Sequence, residues 1–413
     1  MSRRVVITGL GTISAAGRGL EALWESCLAG RSHIGPLRRF DASEYKAQIA
    51  AEVALDFDAT DRIDPKLVKR ADTFVKYGLW AADVALEQSG LVVNDHNRDM
   101  VGVIIGSGIG GMVTWEDQFE RLLTRGPDRV SPFMIPMMII DMASGLMSIH
   151  SGAMGPNSAV VTACASGAHA IATSVDLIKL GRADAVITGG AEAGISRSAL
   201  GGFCSAGALS TRNDDPPTAC RPFDRTRDGF VMGDGATGVI VEGLDHALER
   251  GAPILCEIVG IGMSGDAHHI TEPCPDGAGA ALAMQKALAD AGIGAGDVDY
   301  INAHAPATPA GDAGEALALA TVFGESAART PVSSTKPVHG HMLGATGPTE
   351  LAICVKAIEH GVIPHTVNCT DPEYDDLDVV IGAPREAPVD VAMTNSFGFG
   401  GHNITLVIRR YEG

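Results

Sequence analysis

A cysteine, two histidines and a lysine are the residues of this chain whose types and settings suit covalent chemistry. Cys164 lies in SAVVTACASGAHAIATSVDLIKLG, after an apolar, strand-like stretch over 158–162. Apolar residues then recur at Ala168, Ile171, Val175 and Ile178, a helical spacing that Gly181 stops. A thiol at a helix N-terminus faces unpaired N–H groups and the positive end of the helix dipole, and both favour the nucleophilic thiolate. Ala165, Ser166 and Gly167 leave room for a substrate. The competing reading is a buried structural cysteine, since free cysteines are among the most buried side chains. His304 ends the strand-like DVDYINAH, at the C-terminal end of a strand, where α/β sheets collect their chemistry. His341 stands five residues after Lys336 in SSTKPVHGHMLGATG, just before a helix. The chain has 13 histidines, so any single one is more often structural than catalytic. Two at strand-to-helix turns with a lysine nearby shift that balance. A nucleophilic cysteine with separated histidines is the pattern for covalent chemistry on a thioester or acyl group. His339 and His341 form an HxH pair, but no carboxylate or cysteine completes a metal set at ligand spacing.

These residues need a scaffold, and the sequence predicts an alternating one. Strand patterns fall at 5–8, 101–105, 159–162, 185–188, 238–241, 300–303 and 404–408, and helix patterns at 70–89, 165–180, 279–291 and 348–360. Alternation of this kind predicts an α/β fold with covered sheets. The strand–helix pattern restarts near Gly251, which is compatible with two similar halves. Residues 212–227, rich in Asp, Pro and Arg, read as an ordered loop. Gly106-Ser-Gly108-Ile-Gly110-Gly111 matches GxGxxG in form, but no acidic residue follows at the offset a ribose needs, so nucleotide binding is not expected. NSFGFGG, over 395–401, reads as a glycine turn before a final strand, able to offer a backbone donor and an aromatic gate beside a pocket.

At 413 residues the chain can bury a large core. Its net charge of −19 argues against nucleic acid and against an anionic membrane surface as partners. No run is long and apolar enough to span a membrane, and MSRR leads directly into VVITG, so a cytoplasmic location without a signal peptide is expected. Eight dispersed cysteines without a CxxC pair read as reduced thiols.

Together, TACASGAHA, NAHAPATPAGD, SSTKPVHGHMLGATG and NSFGFGGHN resemble the β-ketoacyl-acyl-carrier-protein synthases, and most of all the elongating type, synthase II. VVITGLG, IGSGIGG, GGAEAG, ALSTRND and RPFDRTRDGFVMGDGA extend the resemblance almost end to end. It implies a thiolase fold of two βαβαβαββ halves in a five-layer α-β-α-β-α core. The halves are placed at 1–250, with the cysteine, and 251–413, with the histidines and lysine. It also implies a homodimer and an acyltransferase that extends an acyl chain by two carbons. Cys164 is then the acyl acceptor, with the backbone N–H groups of Cys164 and Phe399 as oxyanion hole. His304 and His341 stabilise the enolate formed when malonyl carrier loses CO2. Lys336 organises the site with Glu315 as ion-pair partner; Asp312 and Thr308 support it, and Thr308 bonds the phosphopantetheine arm. Ile109, Phe230, Phe397, Met137 and Met138 match pocket positions. Lys66, Lys69, Arg70 and Arg129 match the docking patch for acidic acyl carrier protein, the first three on one helix face. No cofactor is required, while Asn302, Glu350 and Thr394 match a structural monovalent-cation site.

Several positions depart from the pattern. Pro306 stands where a threonine usually contacts the arm, and it offers neither hydroxyl nor N–H. His402 stands where a threonine is usual, Met137 and Met138 replace small polar residues, and Asp128 and Gly207 thin the second basic patch. These departures keep open the same condensation in a specialised polyketide, aryl-polyene or nodulation-type pathway. A non-catalytic chain-length partner would usually lack the cysteine. A thiolase acting on coenzyme A esters would carry a second cysteine in a glycine-rich turn, and neither Cys354 nor Cys369 sits in one.

Overall fold

The computed structural model describes residues 3–413. Strands β1 (Val5–Ser14), β2 (Val101–Gly106), β3 (Asn157–Val160), β4 (Ala185–Glu192) and β5 (Gly235–Gly243) stand in the order β3-β2-β4-β5-β1. Strand β2 runs parallel to β3 and β4, and β5 runs antiparallel to β4 and β1. Strands β6 (Cys256–Gly265), β7 (Tyr300–Asn302), β8 (Val332–Ser333), β9 (Val391–Gly398) and β10 (His402–Arg409) repeat this as β8-β7-β9-β10-β6, with the same directions. A short antiparallel pairing of β1 with β6 links the two.

Neighbouring residues on the strands serve different layers. Ile104, Val186, Val239, Ala392 and Leu406 face a central core with helices α3 (Ser166–Lys179) and α6 (Thr346–His360). Ile105, Ile187 and Ile240 face an outer core with α1 (Thr73–Ser89) and α2 (Met142–Ser151). Met393 and Val407 face the other outer core, with α4 (Ala278–Ala291) and α5 (Pro309–Phe323). Strands buried on both faces explain the continuous apolar runs in the sequence. The result is the duplicated five-layer α/β arrangement that the motifs imply.

Both halves use the same device to seat the outer helix. A Cβ on Gly9 or Gly11 of β1 would lie 2.1 Å and 2.2 Å from the carbonyl oxygens of Ala85 and Ala81 on α1. On β6, a Cβ on Gly260 or Gly262 would lie 2.2 Å and 1.9 Å from those of Ala287 and Ala283 on α4. Only glycine allows helix and strand backbones to approach this closely. Helix ends follow local rules: Asp72 caps α1 by accepting from Phe74 N–H, and Gly90 and Gly361 close α1 and α6 in the left-handed conformation.

The sequence reading missed β6, whose apolar run is interrupted by glycine, the first part of β9, the two-residue β8, and helices α2 and α5. Residues 395–398, expected in a turn, belong to β9, and the turn is confined to 399–401. The helix expected under the basic residues is a single turn, Pro65–Val68, capped by Asp64, and Lys69 and Arg70 lie beyond it. All eight cysteines are free. Among the described residues no helix is long and apolar enough to cross a membrane.

Candidate active site

Loops from the two halves converge on a cavity of about 500 Å³ lined by Cys164, His304, His341, Phe230, Phe397 and Phe399 among others. Cys164 stands in a 3-10 turn, Ala163–Ala165, that leads into α3. The turn opens with Ala163 at φ 51°, a left-handed conformation that costs a non-glycine residue energy. Ser166 holds it in place: its Oγ accepts from Thr162 N–H at 2.9 Å and donates to Ala163 O at 2.7 Å. The end of β9 passes so close that a Cβ on Gly398 would lie 2.6 Å from Thr162 O and 3.1 Å from Cys164 N. This approach brings Phe399 N–H to the Cys164 sulfur, beside the N–H of Cys164 itself. Burial nevertheless dominates and pushes the thiol up to about 12, against the Lys336 charge and both N–H groups. Burial thus works against the thiolate that the helix N-terminus favours.

His304 is fixed through its backbone. Its N–H donates to Glu315 Oε1 at 2.9 Å, Ala305 N–H donates to Glu315 Oε2 at 2.6 Å, and Lys336 Nζ donates to the His304 carbonyl. The ion-pair partner of Lys336 is Glu350, at 2.6 Å with both side chains fully buried, and this corrects the expected pairing with Glu315. Glu315 is instead occupied by two backbone N–H groups and by Asn395 Nδ2 at 3.0 Å. Burial pushes the Glu350 carboxyl up, to about 8, with the Lys336 ammonium pulling the other way. The His304 and His341 rings meet edge to face at 5.3 Å between centroids. Burial, then the Lys336 charge, hold both far below the usual histidine range, so both are neutral at pH 7. His341 Nδ1 lies 3.1 Å from Thr346 Oγ1 and its ring packs on Phe230 at 5.2 Å.

Sequence reading did not single out Glu192, at the end of β4. It is fully buried and accepts from Gly108 N–H at 2.7 Å, Ile109 N–H at 3.1 Å, Ser107 Oγ at 2.9 Å and Gly344 N–H at 3.0 Å. The glycine-rich loop thus cradles the protein's own carboxylate, and Glu192 ties the Ile109 wall to the turn after His341. Thr346 and Phe203 were also missed; the Phe203 ring packs on Phe230 and, at 6.2 Å, on Phe399. Glu192 and Phe203 matter through partners far away in the chain, and Thr346 through His341, five residues before it, so none stands out by residue type alone. Asp312 accepts from Ala307 N–H at 3.0 Å and Phe223 N–H at 2.8 Å. Thr308 lines the cavity and caps α5, accepting from Gly311 N–H at 3.2 Å.

Other expected residues lie elsewhere. Met137 and Met138 do not line this cavity. They sit half-buried on the short helix Met134–Met138, where Met138 O accepts from Gly111 N–H at 3.0 Å. Lys66, Lys69, Arg70 and Arg129 are exposed, and the Arg70 guanidinium lies 4.9 Å from the centre of the Phe133 ring. His402 is exposed at the start of β10, paired in register with Gly398. Asn302 and Thr394 pair on β7 and β9, and Asn302 Oδ1, Thr394 Oγ1 and Glu350 Oε2 are buried without a hydrogen-bond partner. Such unpartnered oxygens fit a small cation.

The chain is similar to known proteins along its whole length. The family models "Beta-ketoacyl synthase, N-terminal domain" and "Beta-ketoacyl synthase, C-terminal domain" match residues 2–247 and 255–370. The 3-oxoacyl-[acyl-carrier-protein] synthase 2 of Synechocystis sp. is 49% identical over 411 residues, 99% of each chain. A β-ketoacyl synthase from Burkholderia phymatum superposes with a TM-score of 0.92 at 32% identity, covering 99% of this chain and 100% of that one. A type II PKS ketosynthase, bound to the hexaketide and in complex with its acyl-carrier protein, superposes with a TM-score of 0.91 at 29% identity over 100% of both chains. Family models that together span most of the chain, and a relative matched along 99% of it, show that the protein belongs to the β-ketoacyl synthase family.

Proposed function

We propose that this chain catalyses the decarboxylating condensation of an acyl group, carried on Cys164, with malonyl-acyl carrier protein, in fatty-acid elongation. One observation carries the reading: Cys164, His304 and His341 line one cavity, with the two imidazole centroids 5.3 Å apart. The Cys164 sulfur attacks the acyl thioester carbonyl, a new C–S bond forms, and the arm thiol leaves with the proton that Cys164 gives up. The N–H groups of Cys164 and Phe399 receive the oxygen of the tetrahedral intermediate. Malonyl thioester then breaks its C–C bond to CO2, and its enolate oxygen accepts hydrogen bonds from His304 and His341. Neutral imidazoles suit this role, because they donate without surrendering a proton. The enolate carbon attacks the acyl carbonyl, and Cys164 departs and is reprotonated. Lys336 and Glu315 position His304, and Phe399 with Phe203 gates the mouth. In this division, residues 1–250 supply the nucleophile and 251–413 the histidines and lysine.

Asn302, Thr394 and Glu350 would hold a structural monovalent cation, whose charge would offset the buried carboxylate. Acidic carrier protein would dock on Lys66, Lys69, Arg70 and Arg129. The ketosynthase bound to its acyl-carrier protein supports that class of partner. A second copy of the chain would seat on the β3 edge, where Phe133, Ile135, Ile149, Met154 and Val161 are exposed. Met137 and Met138 lie on the same segment and would reach the site only through that assembly. Free cysteines suit a cytoplasmic location. The same chemistry in a specialised pathway is favoured by one observation, Pro306 in the cavity wall in place of an arm donor. Acyl carriers of graded length with malonyl carrier test the reading: a carrier-bound β-ketoacyl product two carbons longer supports it, and the best-used length indicates the pathway. No product with either a general or a pathway-specific carrier would overturn it.

A further inference from the structure

The segment after His304 forms one wall of the cavity, through Pro306, Thr308, Pro309 and Gly311. It turns at Ala307, whose φ of 74° is left-handed and unfavourable for alanine. Phe223, beside it, is left-handed too, at φ 62°. Something must hold both, and Asp312 does so directly through their N–H groups.

Behind Asp312 lies Arg227, only 9% exposed and absent from the cavity wall. Its Nε is 3.7 Å from Asp312 Oδ2 and donates to Thr308 O at 3.4 Å. Its Nη2 donates to Pro309 O at 3.1 Å and to Tyr374 Oη at 2.8 Å, and its Nη1 donates to Asp224 O at 3.0 Å and to Glu373. One planar guanidinium therefore joins the loop of Phe223, the first turn of α5 and the segment of Glu373 and Tyr374. The last two residues lie beyond the part of the chain matched by the C-terminal family domain. Lysine has neither the fork geometry nor enough donors for this arrangement.

We propose that Arg227 is a positioning residue for the thioester-bearing arm of the substrate, holding the Ala307 corner and the Thr308 hydroxyl where the arm must pass to reach Cys164. The role is heightened in this chain because Pro306, in the same wall, offers no side-chain or N–H donor, which leaves the Thr308 hydroxyl to orient the arm. The inference rests on the synthase reading above.

The test uses the full chain in steady-state condensation, comparing wild type with Arg227→Lys and Tyr374→Phe. Each is also alkylated at Cys164 by iodoacetamide, which needs no arm. Arg227→Lys is expected to raise KM for malonyl carrier about tenfold with kcat within about threefold, and Tyr374→Phe to raise it about threefold, from the loss of one or two hydrogen bonds. Alkylation rates stay at the wild-type value. An unchanged KM in both variants overturns the proposal, as does a parallel fall in kcat and alkylation rate, which marks a general loss of structure. If Arg227→Lys does not fold, Tyr374→Phe decides alone. Wild type that forms no product breaks the synthase reading itself, and the proposal falls with it.

Discussion

In the first half of the chain, left-handed Ala163 (φ 51°) leads through a 3-10 turn into α3; in the second, left-handed Leu343 (φ 45°) leads through a 3-10 turn into α6. The residues run in parallel: Ala163-Cys164-Ala165-Ser166-Gly167 in one, Leu343-Gly344-Ala345-Thr346-Gly347 in the other. Each turn follows the third strand of its half, and the two pack together, with a Cβ on Gly167 meeting Gly344 O at 2.5 Å. Where the first turn carries the thiol, the second carries glycine, whose N–H goes to Glu192. Ser166 braces its own turn, whereas Thr346 meets His341. The lesson is that the two halves share one strained corner, and that they differ in chemistry because one corner carries a thiol while the loop before the other carries the His341 imidazole.

The comparison can be broken at its strongest point first. Cys164→Ala should lower β-ketoacyl product by about a thousandfold or more, since the other thiol in the cavity wall, Cys274, is engaged with Asp276 Oδ1 at 3.0 Å. A variant with near-normal turnover would place the acyl group elsewhere. On the other half, His304→Ala and His341→Ala should each slow CO2 release from malonyl carrier by about a hundredfold or more. Acyl loading of Cys164 should stay within about tenfold of wild type, because loading uses the first corner and the Phe399 N–H but neither imidazole. Equal loss of both steps would show that the halves do not divide the labour.

The second corner is tested by Gly344→Ala. Its Cβ would lie 2.6 Å from Gly108 N and 2.9 Å from Glu192 Oε2, so stability should fall by about 2 kcal/mol, read from a denaturant midpoint. An unchanged midpoint would mean that the corner is not close-packed. The smallest effect concerns pH. With the thiol pushed up to about 12 by burial, the thiolate fraction should rise about tenfold per pH unit from 7 to 9, and alkylation of Cys164 with it. A plateau below pH 8 would reveal a thiolate already formed.

How far the site was legible follows from where each signal resides. Cys164, His304, Lys336 and His341 sit at strand-to-helix junctions whose periodicity and motifs mark them in one dimension. The partner of Lys336 could not be chosen that way. Glu315 and Glu350 both lie on helices beside the site, and only the packing of α5 and α6 decides that Glu350 reaches Nζ while Glu315 turns to backbone N–H groups. Glu192 reads as an ordinary strand end until the glycine-rich loop folds over it. The opposing pull on the Cys164 thiol was not legible, because a helix N-terminus is a local feature, whereas desolvation depends on the whole cavity. In the fold, strands with uninterrupted apolar runs were legible, while β6 and β9 were obscured by glycines that exist for close packing and for the Phe399 turn.

The central claim is that the acyl group rides on Cys164 and is discharged by the histidine half. Intact-mass spectrometry of wild type with acyl carrier protein, followed by a malonyl-carrier chase, tests it most directly. The account predicts a single acyl adduct that is absent in Cys164→Ala, disappears on the chase in wild type, and persists through it in His304→Ala. No adduct, or one that forms equally well in Cys164→Ala, would contradict it.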